Sequence, residues 1–142
     1  MTIKVNADFI KNEIKSYSFE NQRGICVKIL NYGAIIAEIK VPDKRGKVED
    51  IVLGFDDISD YFNNTPYFGC LVGRYANRIA RGKFQLDCKE YSLSLNNNIN
   101  HLHGGGFGFD KKFWISVEEK IKNSNSLKLR YFSPDMEEGY PG

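Results

Sequence analysis

The sequence contains only two histidines, His101 and His103, and they stand two residues apart in Asn100-His101-Leu102-His103, directly before Gly104-Gly105-Gly106. Imidazole titrates near neutral pH, so it can give or take a proton under working conditions. A glycine run lets backbone approach a ligand closely. Three chemistries are open to this stretch. On a strand, residues i and i+2 project the same way, so His-Leu-His could place two ligands on a metal; a third ligand would still be needed, and Cys26, Cys70 and Cys88 lie far away in sequence. General acid–base work by one imidazole, worth on the order of 10² to 10⁴ in rate, is the second. The third is a purely structural glycine turn carrying two solvent-facing histidines.

A second concentration of polar chemistry is Gly73-Arg74-Tyr75-Ala76-Asn77-Arg78-Ile79. Guanidinium and amide groups offer several fixed donors, which suits the hydroxyls of a sugar. The alternative is that Arg74 and Arg78 pair with surface carboxylates. Phe107, Phe109, Phe113 and Trp114 could form an apolar or sugar-stacking wall nearby. A phosphate loop is excluded: Gly104-x-Gly106 is followed by Phe109 where a dinucleotide fingerprint needs glycine, and no GK[ST] follows. Glu137-Glu138 could suggest the carboxylate pair of a glycoside hydrolase, but neighbours on an extended chain face opposite ways, and turn capping fits them better.

The elements that must position these residues are short strands. From Ser16 to Val52 apolar and polar residues alternate with period two, predicting half-buried antiparallel strands over 16–20, 25–30, 34–41 and 48–53. They are cut by Asn21–Gly24, Asn31-Tyr32-Gly33 and Pro42–Gly46. Asp56–Phe62 is the best helical candidate, with acidic residues at its start where the helix dipole favours them. Residues 83–86 and 90–95 flank Asp87-Cys88-Lys89 as a tight hairpin. Residues 113–119 and 127–133 alternate again around the polar turn 122–125. The pattern predicts an all-β fold, an antiparallel β-sandwich or barrel with one short helix near 56–62. The last ten residues, Ser133–Gly142, are turn chemistry, so the sandwich is expected to be incomplete.

Composition narrows the function classes. At 142 residues and 42% apolar, the sequence predicts a single globular domain over 1–142. A net charge of +2 with scattered lysines does not suggest nucleic acid or an anionic membrane as partner. Three cysteines without CxxC spacing read as free thiols in a reducing compartment. Charges break every apolar run at the N-terminus and no stretch reaches membrane-spanning length, so a cytoplasmic location is expected.

Six segments occur together and in order: Asn31-Tyr32-Gly33-Ala34; Pro42-Asp43 with Gly46; Val52-Leu53-Gly54-Phe55; Gly73–Ile79; Asn100-x-Leu102-His103-Gly104-Gly105; and Ser133-Pro134-Asp135-x-Glu137-Glu138-Gly139-Tyr140-Pro141-Gly142. Together they resemble the N-terminal part of aldose 1-epimerases, the galactose mutarotases. The resemblance implies a twisted β-sandwich that binds a free aldohexose and interconverts its α and β anomers without a metal or organic cofactor. It implies that Arg78 hydrogen-bonds the substrate, that Asn77 is its neighbour in the cleft, and that His103 is the first of two active-site histidines, binding the sugar and polarising its ring oxygen. His101 falls at a position the motif leaves open and is given no catalytic role. In the family the second histidine, a sugar-binding aspartate and the basic glutamate all lie beyond the Tyr-Pro-Gly turn. Weak or no activity of this chain alone is therefore expected, with self-association through exposed sheet edges. A non-catalytic sugar-binding module is the alternative.

Overall fold

A computed structural model describes residues 2–6, 14–62, 66–121 and 124–142. Five strands form one sheet in sequential order: β1 (Thr2–Asn6), β2 (Ser16–Glu20), β3 (Cys26–Leu30), β4 (Ile36–Pro42) and β5 (Val48–Asp50). Three two-stranded ladders follow, β6 (Arg78–Ile79) with β9 (His101–Leu102), β7 (Lys83–Leu86) with β8 (Lys89–Ser92), and β10 (Ile115–Ile121) with β11 (Ser124–Arg130). Every pairing is antiparallel, as the alternation predicts. No helix among the described residues is long and apolar enough to cross a membrane.

The turn chemistry explains the sheet. Oδ1 of Asn21 accepts the backbone N–H of Arg23 and Ile25, and Oδ1 of Asp43 accepts those of Arg45 and Lys47, so each side chain substitutes for backbone in its turn. Asp87 and Cys88 both have positive φ, 49° and 62°, the geometry of a two-residue turn whose twist matches a hairpin.

Several boundaries differ from the sequence expectation, each for a local reason. The fifth strand stops at Asp50 instead of continuing to Leu53: the Asp50 carboxylate accepts the N–H of Ile39 and of Val52, replacing the next rung. The helical candidate over 56–62 is a 3-10 turn, Ile58–Phe62. β11 lies three residues earlier than expected, because Tyr131 and Ser133 donate to Glu137 and draw the chain out of the ladder. Of the polar turn at 122–125, residues 122 and 123 lie outside the described residues, and Ser124 and Asn125 belong to β11.

The core sits at the end of the large sheet and is aromatic. Ile14, Leu30, Tyr32, Ile35 and Tyr61 are buried together, with Phe55, Phe62 and Phe68 packed on them. Rings meet at 4.6 Å for Tyr32 and Phe62 and 5.1 Å for Phe55 and Tyr61. Burial of this kind is the main stabilising term, roughly 1.5–3 kcal/mol per large side chain. Asn31-Tyr32-Gly33 does more than break a strand. The carbonyl of Asn31 accepts the N–H of Trp114, Tyr32 bridges Phe113, and the N–H of Gly33 donates to Lys112. The segment following the histidine loop is thereby stitched to the large sheet.

Candidate active site

Two short strands carry the polar residues singled out above. β6 and β9 share only two rungs, Arg78 with Leu102 and Ile79 with His101. So short a ladder needs other support, and asparagines supply it. Asn96 accepts the N–H of Leu102 through Oδ1 at 2.6 Å and donates to its carbonyl at 2.9 Å, acting as a further strand on the outer edge of β9. Asn97 and Asn100 exchange backbone bonds, and Oδ1 of Asn100 accepts the N–H of Arg81. The glycines fix how closely the two loops approach. A Cβ on Gly104, where φ is +88°, would lie 1.6 Å from the carbonyl oxygen of Gly73, and one on Gly105 would meet the Glu138 carboxylate. Only bare backbone fits between them.

His103 and Asn77 lie just beyond the ends of this ladder. The N–H of His103 donates to the carbonyl of Asn77, and the N–H of Asn77 donates to Nδ1 of His103, both at 3.0 Å. Because Nδ1 accepts, the proton of the neutral imidazole belongs on Nε2. Arg78 follows directly: its Nε donates to Oδ1 of Asn97 at 2.8 Å, and Nη1 lies 3.4 Å from Oδ1 of Asn77. The structure therefore brings His103, Asn77 and Arg78 together, with Asn77 touching both of the others. The ring of Tyr67 packs edge-on against the imidazole at 4.7 Å.

The two histidines do not share an environment. His101 continues β9 into the interior, where it is 0% exposed. Its Nδ1 lies 2.7 Å from the Ser94 carbonyl, which can only accept, so His101 is protonated on Nδ1. Its ring meets Tyr140 edge-on. His103 leaves the strand with φ at +51°, which breaks the i, i+2 alternation. Among the described residues no three of histidine, cysteine, aspartate and glutamate gather as a metal site.

The two arginines also divide. Neither pairs with a carboxylate among the described residues. Arg74 clamps the C-terminal turn, donating to Oγ of Ser133 and to the carbonyls of Ser133, Pro134, Tyr140, Pro141 and Gly142. Glu137 supports the same turn. Its carboxylate accepts from Tyr131, Ser133 and Lys112, the last at 2.7 Å. Burial alone would push this carboxyl up, but those three donors outweigh it and hold it below the usual glutamate range.

Two open hollows share residues with these elements. One, of about 340 Å³, is lined by Arg74, Tyr75, Arg78, Ile79, Phe84 and Tyr140. The other, of about 470 Å³, is lined by Tyr32, Phe62, Tyr67, Asn96, Phe107 and Lys111 among others. Both are in the size range of small-ligand pockets, and each combines aromatic walls with a few polar groups. Phe107 stands out in the sequence as an aromatic beside the glycine run, whereas Tyr67, Asn96 and Lys111 do not. The asparagine run 96–98 was the one available signal, since local hydrogen bonding by such side chains is common at strand ends.

Comparison with known proteins adds to this geometry. Residues 15–142 match the family model described as aldose 1-epimerase. The chain is 49% identical over 116 residues to galactose mutarotase of Bos taurus and 46% identical over 116 residues to that of Homo sapiens, covering 82% of this chain and 33% of each relative. The chain thus spans about a third of the length of the curated relatives it matches. Its fold is similar to that of a galactose 1-epimerase from Lactobacillus acidophilus, with a TM-score of 0.84 and 28% identity, covering 100% of this chain and 42% of that one. It is also similar to an aldose epimerase homologue from C. elegans, with a TM-score of 0.76 and 35% identity, covering 88% of this chain and 38% of that one.

Proposed function

Because the chain belongs to the aldose 1-epimerase family, we propose that it forms one wall of a site that interconverts the α and β anomers of free aldohexoses such as glucose and galactose. The observation that carries this is that Asn77 touches both partners: it exchanges two hydrogen bonds with His103, leaving the imidazole proton on Nε2, and its Oδ1 lies 3.4 Å from Nη1 of Arg78.

The reaction needs two proton transfers. A base takes the proton of the anomeric hydroxyl while an acid protonates the ring oxygen, and the C1–O5 bond breaks to give the open aldehyde. Rotation about C1–C2 presents the other face of the aldehyde. Reversal of the transfers recloses the ring as the other anomer. In this scheme Nε2–H of His103 binds and polarises the ring oxygen, and Arg78 and Asn77 hold sugar hydroxyls through planar, fixed donors. The base is assigned to none of these residues. His101 is enclosed in the core, so these 142 residues bring one imidazole to the site, and alone they should turn over sugar weakly or not at all. A cytoplasmic setting belongs to the same reading, supported by three unpaired cysteines.

The single site imidazole also favours a second reading, in which the chain binds sugar without converting it. Polarimetry of freshly dissolved α-glucose, with and without the purified chain, tests the first. Titration of the chain with galactose, followed by NMR, tests the second. Weak or no acceleration with saturable perturbation of His103 is expected. Acceleration at a full enzyme's rate would refute weak activity of the isolated chain, and no perturbation at any sugar concentration would refute both sugar readings.

A further inference from the structure

Resting on the reading of His103 as a sugar-facing imidazole, we propose that Tyr67 and Lys111 are positioning residues that hold its ring plane. A single N–H on Nδ1 fixes one direction of the imidazole but leaves the ring free to tilt about that bond. The Tyr67 ring closes off that freedom, lying edge-on at 4.7 Å with an interplanar angle of 63°.

Tyr67 is itself held from several directions. It has φ at +63°, a conformation that a bulky residue keeps only where its surroundings over-determine it. Its carbonyl accepts from Sγ of Cys70 at 3.3 Å. On the ring, Nζ of Lys111 lies 5.8 Å from the centroid, within reach of a cation–π attraction. Lys111 is tethered in turn, 3.2 Å from Oδ2 of the buried Asp110. Burial pushes the Tyr67 phenol above its usual value, so the ring facing His103 stays neutral across the working range.

The four side chains form a line from the interior to the site: Asp110 anchors Lys111, Lys111 covers Tyr67, and Tyr67 braces His103. Tyr67 and Lys111 also line the 470 Å³ hollow with Asn96 and Phe107. Tyr67, the ring that meets the imidazole, is thus also a wall of that hollow. Preorganisation of this kind saves the cost of ordering the group when a ligand arrives.

NMR of the whole 142-residue chain labelled with ¹⁵N-histidine tests this, because two histidines give two separable ring systems. In the parent, His103 should show the Nε2–H tautomer and His101 the Nδ1–H tautomer. Tyr67→Leu should abolish the aromatic ring-current shift on the His103 ring protons and move its nitrogen shifts toward the tautomer average of a free imidazole, with His101 unchanged. Tyr67→Phe should keep the parent pattern. Lys111→Met should move His103 in the same direction as Tyr67→Leu, by a smaller amount. The proposal is overturned if Tyr67→Leu leaves His103 at its parent shifts while His101 reports an intact fold. Should Tyr67→Leu lose the His101 signature through unfolding, unchanged His103 shifts in Lys111→Met overturn it instead. Galactose titration of the parent is scored separately, so that a brace confirmed by the variants with no sugar response would sink the sugar reading alone.

Discussion

Asn77 and His103 exchange two hydrogen bonds, each backbone N–H donating to the other residue, one to a carbonyl and one to Nδ1. Both residues sit in the left-handed region, at φ +67° and +51°, where asparagine and histidine are among the more tolerant side-chain-bearing residues. The pairing links the polar end of one short strand to that of its partner, and it sets the tautomer of the imidazole by backbone geometry.

Asn77 can be dissected on this basis. Asn77→Gly keeps the N–H and accepts positive φ freely, so its urea midpoint should match or exceed the parent's. Asn77→Ala should lose about 1 kcal/mol to left-handed strain. Both should weaken hexose binding to a similar extent, since both remove the amide beside Arg78. Equal destabilisation by the two variants would show that the side chain, not the backbone conformation, is what stability needs.

The arginines should separate cleanly. Arg74→Ala removes a half-buried clamp on the C-terminal turn and should cost about 2–3 kcal/mol in denaturant unfolding. Arg78→Lys should leave the unfolding midpoint near the parent's, because the side chain is exposed, yet weaken galactose binding on the order of tenfold through loss of the planar guanidinium. Calorimetric unfolding paired with an NMR sugar titration reads both, and a reversed pattern would reassign the two residues.

Glu137 predicts an acid limb of stability. Its carboxyl is held below the ordinary glutamate value, because the donors Lys112, Ser133 and Tyr131 overcome the opposing effect of burial. A depressed carboxyl contributes stability above its unfolded value of about 4.3, and that contribution disappears as pH falls through the lower folded value. Glu137→Gln should therefore show a shallower fall in unfolding free energy below about pH 4 than the parent. Parallel curves for the two proteins would remove Glu137 from the acid response.

Surface apolarity predicts association. Phe132 is 84% exposed, Leu53 76% and Ile115 70%, and among the described residues β10 and β11 form a sheet of two strands. Unpaired edges and apolar patches favour contact with another copy. In sedimentation equilibrium the average mass should rise with concentration, and Phe132→Glu should reduce the rise. A monomer at every concentration would count against it.

Strand positions were legible because alternation and turn residues are local signals: Ser16–Glu20 and Lys83–Leu86 are found at their expected bounds. Boundaries drifted where a side-chain hydrogen bond replaced a rung or drew the chain aside. Asp50 ended β5 early, and Glu137 drew Tyr131 and Ser133 out of β11. Neither effect is visible in a propensity window, since each depends on a hydrogen bond made after the chain has folded.

The sequence by itself determined an antiparallel β chain, its turn chemistry and the family to which its ordered motifs belong, because these rest on residue type and short spacing. The ordered motifs singled out His103 and Arg78, but only tertiary structure decided that His101 is enclosed while His103 meets Asn77 and Tyr67, and that Arg74 clamps a turn while Arg78 stands beside Asn77. Spacing makes His101 and His103 equivalent on a strand. The left-handed turn at His103 and the approach of Gly104 to Gly73 make them different, and those are contacts between segments some thirty residues apart.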